Sequence, residues 1–295
     1  MHRVEEEIAR IIKEIDYEEV TDLFNMLSGG KRLRAKLILK IAKEEKRAPL
    51  LAAIVELIHA ASLLHDDVID EAMTRRGVAS INASEGSKTA VMLGDILYSK
   101  GFSELVSFDT EIAKVISSSV TALSKGEMMD VKMSESFNSD ETKYLDMLYL
   151  KTATLIEAAS MAAAILAEKD AQVYGVYGRN LGLSFQIIDD ILDITADEET
   201  LGKPAMNDFV EGKCTLPYIY LYEALGEEEK QRLVASHAKK IDKEEILWIK
   251  KKMAEYGSIE KSFELAKKLS NEAMEAIKGN EDLENILKTM IQRSY

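Results

Sequence analysis

The chain has 295 residues, 46% of them hydrophobic, and a formal net charge of −14. That excess of acid argues against a general nucleic-acid binder and against a polybasic membrane-surface protein. A single cysteine, Cys214, permits no internal disulfide and fits a reducing compartment.

The first residues, Met1 to Glu7, carry no apolar signal core. Apolar stretches such as Met161 to Ala167 fall short of the ~20 residues that cross a bilayer. A soluble, cytoplasmic protein without a transmembrane segment is therefore expected. Only three prolines, Pro49, Pro204 and Pro217, interrupt the chain, which favours long helices.

Helical periodicity runs nearly end to end. Ala9, Ile11, Ile12 and Ile15 open it, and Leu37, Ile38, Leu39 and Ile41 follow the basic turn Gly29-Gly30-Lys31-Arg32-Leu33-Arg34. Leu50 to Leu64 is almost wholly apolar and reads as a central buried helix. Further helices are expected over about 88–107, 109–133, 140–166 and 170–194. Asn138-Ser139-Asp140 before Glu141 carries a helix-start signal. No alternating run of strand length appears. After Pro217 the segments become more charged and read as peripheral helices with solvated faces. No flexible linker divides the chain, so a single all-α domain over residues 1–295 is expected.

Two acidic steps of one design stand out: Asp66-Asp67-Val68-Ile69-Asp70 and Asp189-Asp190-Ile191-Leu192-Asp193. On a helix the first and last aspartate of each step stack one turn apart, while the middle one lies roughly 100° around on the flank. Each step leaves an apolar helix, through Leu63-Leu64 and Ile187-Ile188. One such step alone is more often a solvated surface. Two copies with basic companions point to chemistry. Carboxylates gathered in one place repel unless cations sit between them, and Mg²⁺ is the hard, oxygen-seeking ion that also leaves room for substrate phosphates.

The basic companions are numerous. The Gly29-Gly30 turn offers amide donors with Lys31, Arg32 and Arg34 beside them, a pattern suited to phosphate. Arg75-Arg76 lies close after Asp70. Lys151-Thr152 and Gln186 place polar groups in apolar helices, and Lys203 and Lys213 follow the second acidic step. So many separated cations exceed the needs of one diphosphate. Glu56 and His59 have the Glu-x-x-His spacing of a di-iron bundle, but that site needs two such units, and His2, His65 and His237 supply no second one.

Together these residues make the chain resemble the trans-isoprenyl diphosphate synthases, or polyprenyl synthetases. The resemblance extends over essentially the full length: the basic turn, His59 through both arginines to Gly77, Gly94-Asp95, Lys151-Thr152, Gln186 to Asp193, and Gly202-Lys203-Pro204 through Asn207-Asp208 to Lys213. It implies an all-helical bundle around a central cavity, a homodimer, and two acidic helices that bind an allylic diphosphate through Mg²⁺. By position, Asp66, Asp70 and Asp189 would be the main metal ligands, with Asp67, Asp190 and Asp193 completing the shells. Arg75, Lys151, Lys203 and Lys213 would hold the allylic diphosphate, and Lys31, Arg34, His59 and Arg76 isopentenyl diphosphate. Thr152 and Gln186 would lie beside the reacting carbons. Two positions depart from the pattern. Ala35 stands where proline is common, and Asp130 where glutamine is frequent.

The growing product would run down the helix that carries Asp66. Ala61 and Ser62 lie about one turn below the metals, where short-chain members place an aromatic floor. Their small size implies a medium-to-long product of about C30–C40, reckoned at ~1.5 Å of helix per residue, suited to a quinone side chain. Ile112, Ile116 or Val120 would lie deeper. The rival readings are a short-chain farnesyl or geranylgeranyl synthase, a non-catalytic subunit of a heteromeric synthase, and a terpene cyclase. Intact motifs argue against the second, and a second diphosphate site against the third.

Overall fold

A computed structural model describes residues 1–27, 30–196 and 206–291, and its contacts divide the chain into two compact units. The first comprises Met1–Val120 with Glu157–Gly175, and the second Thr121–Ile156 with Val176–Tyr295. Helices dominate both, as the periodicity requires.

In the first unit, α1 (His2–Lys13), α2 (Glu18–Met26) and α3 (Leu33–Ile41) precede α4 (Ala48–Ile69), then come α5 (Ile81–Ser84) and α6 (Ser87–Leu105). Pro49 opens α4, where its missing N–H costs nothing. Leu51 to Ile58 of α4 are all buried, and α1, α3 and α6 pack around that helix. Two glycines let α6 approach closely. A Cβ at Gly101 would lie 3.3 Å from Ile58 Cγ1, and one at Gly94 would collide with the His65 ring. The expected central helix is therefore present and longer than its apolar run.

After α4 the chain forms a short antiparallel hairpin, β1 (Thr74–Arg75) and β2 (Val78–Ala79), pairing Arg75 with Val78. Sequence reading expects no strand here, because two-residue strands carry no alternation. The turn residues Arg76 (φ 52°) and Gly77 (φ 80°) are both left-handed, the geometry a two-residue hairpin needs.

Helix α7 (Thr110–Ser134) is followed by α8 (Glu141–Leu148), a π-helical turn at Tyr149–Ala153, α9 (Thr154–Leu166) and α10 (Ala171–Thr195). Asp140 caps α8 through Lys143 N at 3.1 Å, as its position predicts. The single helix expected over 140–166 is thus interrupted by one wide turn, which centres on Lys151. Single π turns often mark functional sites. Gly126 of α7 abuts it: a Cβ there would overlap the backbone of Leu150 and Lys151.

The remaining helices are α11 (Asn207–Val210), α12 (Leu216–Ala224), α13 (Glu227–Ser236), α14 (Lys243–Tyr256), α15 (Ser258–Ala276) and α16 (Glu281–Ile291). Leu233, Ile249 and Met253 of α13 and α14 pack with Phe209, Tyr218 and Ile194 in one core cluster. The charged segments after Pro217 therefore close a core with one face and meet solvent with the other. Two helical stretches, Ala48–Ile69 and Glu141–Leu166, are apolar and long enough to cross a membrane, but 72% and 61% of their apolar windows are buried inside the protein. Their apolar character is used in packing.

Candidate active site

In the first unit the acidic step lies at the end of α4. Asp66 is half-buried and Asp70 exposed, whereas Asp67 is only 4% exposed. The flank position assigned to the middle aspartate explains the split. Asp67 accepts from Arg75, whose Nε is 2.8 Å from both carboxylate oxygens.

Around it lies a cavity of about 80 Å³ walled by Gly30, Arg32, Glu56, His59, Arg75 and Arg76, among others. Arg32, which is left-handed (φ 51°), bonds Glu56 at 3.4 Å and Glu5 at 3.1 Å. Buried Glu56 also accepts from Ala35 N at 2.9 Å. A proline at position 35 would have no N–H to give, so the departure at Ala35 does more than alter a helix start. Gly30 is required where it stands, because a Cβ would come within 2.9 Å of the Arg76 guanidinium.

His59 Nδ1 and Arg34 Nε are buried without hydrogen-bond partners among the described residues. Burial, then the fields of Arg34, Arg76, Arg75 and Arg32, hold His59 well below the usual histidine range. Burial also pulls Arg34 down to about 10 against the opposing pull of Glu56. This is a neutral imidazole inside an arginine cluster, a place that favours an anion. Of the residues expected to hold isopentenyl diphosphate, His59 and Arg76 line this cavity. Lys31 is exposed and does not line it, and neither does Arg34, whose charge nonetheless acts on His59. Sequence reading gave no individual role to Arg32 and dismissed Glu56 with the di-iron bundle. The signal for Glu56 was a single acid within the apolar run Leu50 to Leu64, and Arg32 carried none beyond its place in the basic turn.

The second unit holds a cavity of about 150 Å³ whose wall includes Lys151, Thr152, Gln186, Asp190, Asp208 and Lys213. Lys151 Nζ lies 2.5 Å from Asp130 and 2.9 Å from Glu127. Burial would lower this ammonium, but the two carboxylates outweigh it and hold it above the usual lysine range. The cation in an apolar helix is thus accounted for, and Asp130 supplies a charge that glutamine would not. Lys213 reaches Glu211 at 3.2 Å.

In the second acidic step only Asp189 is exposed. Asp190, 4% exposed, accepts a bond from Tyr144 Oη and one of 3.0 Å from Gln186 Nε2. Asp193, 2% exposed, accepts from Asp208 N at 3.2 Å at the start of α11. The α11 turn covers it, so Asp193 is buried although it stands one helical turn from Asp189 on α10. Asp67, Asp190 and Asp193 are thus bonded to protein, while Asp66, Asp70 and Asp189 present the more accessible carboxylates.

Among the described residues, no group of three or more His, Cys, Asp or Glu side chains is gathered to hold a metal alone. Mg²⁺ asks for less: one or two carboxylates, with waters and substrate phosphate completing its shell. Asp66 and Asp70, all-oxygen donors one turn apart at a helix end, fit that demand. Lys203 lies outside the described residues.

The polyprenyl synthetase family model matches residues 17–255. An octaprenyl pyrophosphate synthase from Helicobacter pylori has the same fold, with a TM-score of 0.94 and 46% identity over 98% of this chain and 97% of that one. A short chain isoprenyl diphosphate synthase from Methanothermobacter thermautotrophicus is 37% identical over 70% of this chain and 68% of its own length. A geranylgeranyl diphosphate synthase from Sulfolobus acidocaldarius is 34% identical over 88% and 83%. The helical fold, the paired acidic steps and the arginine-lined cavity agree with these likenesses, and the chain belongs to the polyprenyl synthetase family of trans-prenyltransferases.

Proposed function

We propose that this chain, working as one catalytic domain and as a homodimer in the cytoplasm, condenses isopentenyl diphosphate onto an allylic diphosphate with Mg²⁺. The product is an all-trans polyprenyl diphosphate of about C30–C40, on the ~1.5 Å rise per helical residue, destined for quinone side chains. The observation that carries the product length is the near-complete likeness to an octaprenyl synthase. Small Ala61 and Ser62 below the aspartates support it. A second reading, a C15–C20 product by the same measure of about one turn of helix, has the short chain isoprenyl and geranylgeranyl diphosphate synthase relatives in its favour.

Ionisation of the allylic C–O bond makes a diphosphate anion and a delocalised cation. Asp66, Asp70 and Asp189 would hold Mg²⁺, which when bound neutralises the charge that develops on the diphosphate. Arg75, Lys151, Lys203 and Lys213 hold that diphosphate by charge-assisted bonds. His59, Arg76, Arg34 and Lys31, joined by Arg32, serve isopentenyl diphosphate. Neutral His59 gives a hydrogen bond there without adding charge. Oxygen dipoles of Thr152 and Gln186 favour the cation without capturing it. The isopentenyl double bond then attacks, and its proton leaves to the departing diphosphate.

The test is incubation with labelled isopentenyl diphosphate, an allylic primer and Mg²⁺, followed by sizing of the products. Products of about C30–C40 are expected from the tunnel length given above. Accumulation of farnesyl or geranylgeranyl chains would establish the second reading. Hydrocarbon from the primer alone would reveal a cyclase.

A further inference from the structure

In the second unit a chain of donors points toward one carboxylate. Tyr144 Oη donates to Asp190 Oδ2, and Gln186 Nε2 donates to Asp190 Oδ1 at 3.0 Å. Thr152 Oγ1 donates to Gln186 Oε1 at 3.4 Å. All four side chains line the same cavity. Tyr144, on α8, is only 1% exposed.

The direction of each bond matters. Asp190 Oδ1 accepts from Nε2, so the NH₂ end of the Gln186 amide faces the carboxyl group and Oε1 turns toward Thr152. That oxygen accepts the hydrogen bond of the Thr152 hydroxyl, which leaves the Thr152 oxygen lone pairs for the cavity. A buried phenol normally finds a partner for its O–H. Here the partner is the one group that sets the amide.

We infer that Tyr144 is a positioning residue for prenyl transfer, acting through Asp190 to fix Gln186 and Thr152 with oxygen, not N–H, toward the developing carbocation. A reversed amide would aim a partial positive charge at the same place. In this arrangement Asp190 is the anchor of an orienting network and not a ligand to metal. The inference rests on the proposed roles of Thr152 and Gln186.

Its test is a kinetic cycle on the intact enzyme with Y144F, Q186A and the double variant. Y144F should lower kcat about 3–10-fold, the worth of one net hydrogen bond, with the KM for isopentenyl diphosphate and the half-saturating Mg²⁺ unchanged. In the Q186A background, Y144F should cost nothing further. Equal losses in both backgrounds, or an unchanged kcat for Y144F, would overturn the inference. D190N gives a second route if Y144F fails to fold, because its amide can donate to Gln186 Oε1 and reverse that side chain. D190N should lower kcat with no shift in half-saturating Mg²⁺, and a marked shift would make Asp190 a metal ligand instead. An inactive wild type would count against the roles beneath the inference. An active wild type with additive losses would count against the inference alone.

Discussion

Arg75 clasps Asp67, with Nε 2.8 Å from each carboxylate oxygen and Nη2 2.5 Å from Oδ1. The pair ties the β1–β2 hairpin to the end of α4 and buries the middle aspartate of the first acidic step. Asp67→Ala and Arg75→Ala should each lower stability by about 1–3 kcal/mol, less than a fully buried pair because Arg75 is partly exposed. The double variant should lose less than the sum. Urea unfolding of the three variants checks this, and strict additivity would mean that the pair is not coupled.

The more accessible aspartates should behave differently. Asp66→Ala and Asp189→Ala should cut turnover by at least ~10², the scale of a lost electrostatic group at a reacting centre. Their thermal midpoints should stay near wild type, because neither carboxylate is buried. Steady-state rates beside melting curves separate the two classes.

Acid should weaken the fold through His59. Its folded pKa is depressed by burial and by four arginines, so it stays neutral in the native state. Below the unfolded value of about 6.5 the unfolded chain binds more protons, and stability falls as pH falls, by on the order of 1.4 kcal/mol per pH unit. Above that value the effect vanishes. His59→Gln should remove this part of the acid sensitivity. Unfolding free energies of both proteins at pH 7.5 and pH 5.5 should diverge, with wild type losing more. Parallel losses would show that His59 is not buried neutral.

Ala61 is fully buried on α4, and Ser62 bonds back to His59 O at 2.9 Å. Placing tyrosine at position 61 should fill the path of the growing chain and shorten the product to about C15–C20 by steric exclusion. Mass analysis of the products checks it. An unchanged length would remove Ala61 from the product's path.

Much of this was legible from residue spacing alone. The 3.6-residue period found the long helices and set Asp67 apart from Asp66 and Asp70. It does not show that Asp193 is buried, because Asp208, whose N–H it accepts, lies 15 residues further on in another element. The hairpin at Arg76-Gly77 escaped notice because its strands are too short to show a pattern, and Arg-Gly is a weaker turn signal than Asn-Gly. Lys151 was visible as an anomaly, but its partners Glu127 and Asp130 lie on another helix. Tyr144 gave no signal, since one aromatic residue in an apolar stripe looks like ordinary core. Pairings across elements, unlike periodicity, are not written locally.

Asp66, Asp70 and Asp189 would hold the Mg²⁺ that neutralises the departing allylic diphosphate. Incorporation of labelled isopentenyl diphosphate by the wild-type enzyme, measured in excess chelator and again after Mg²⁺ is restored, tests it most directly. Incorporation should be lost in chelator and recover with Mg²⁺. Undiminished incorporation in chelator would contradict it.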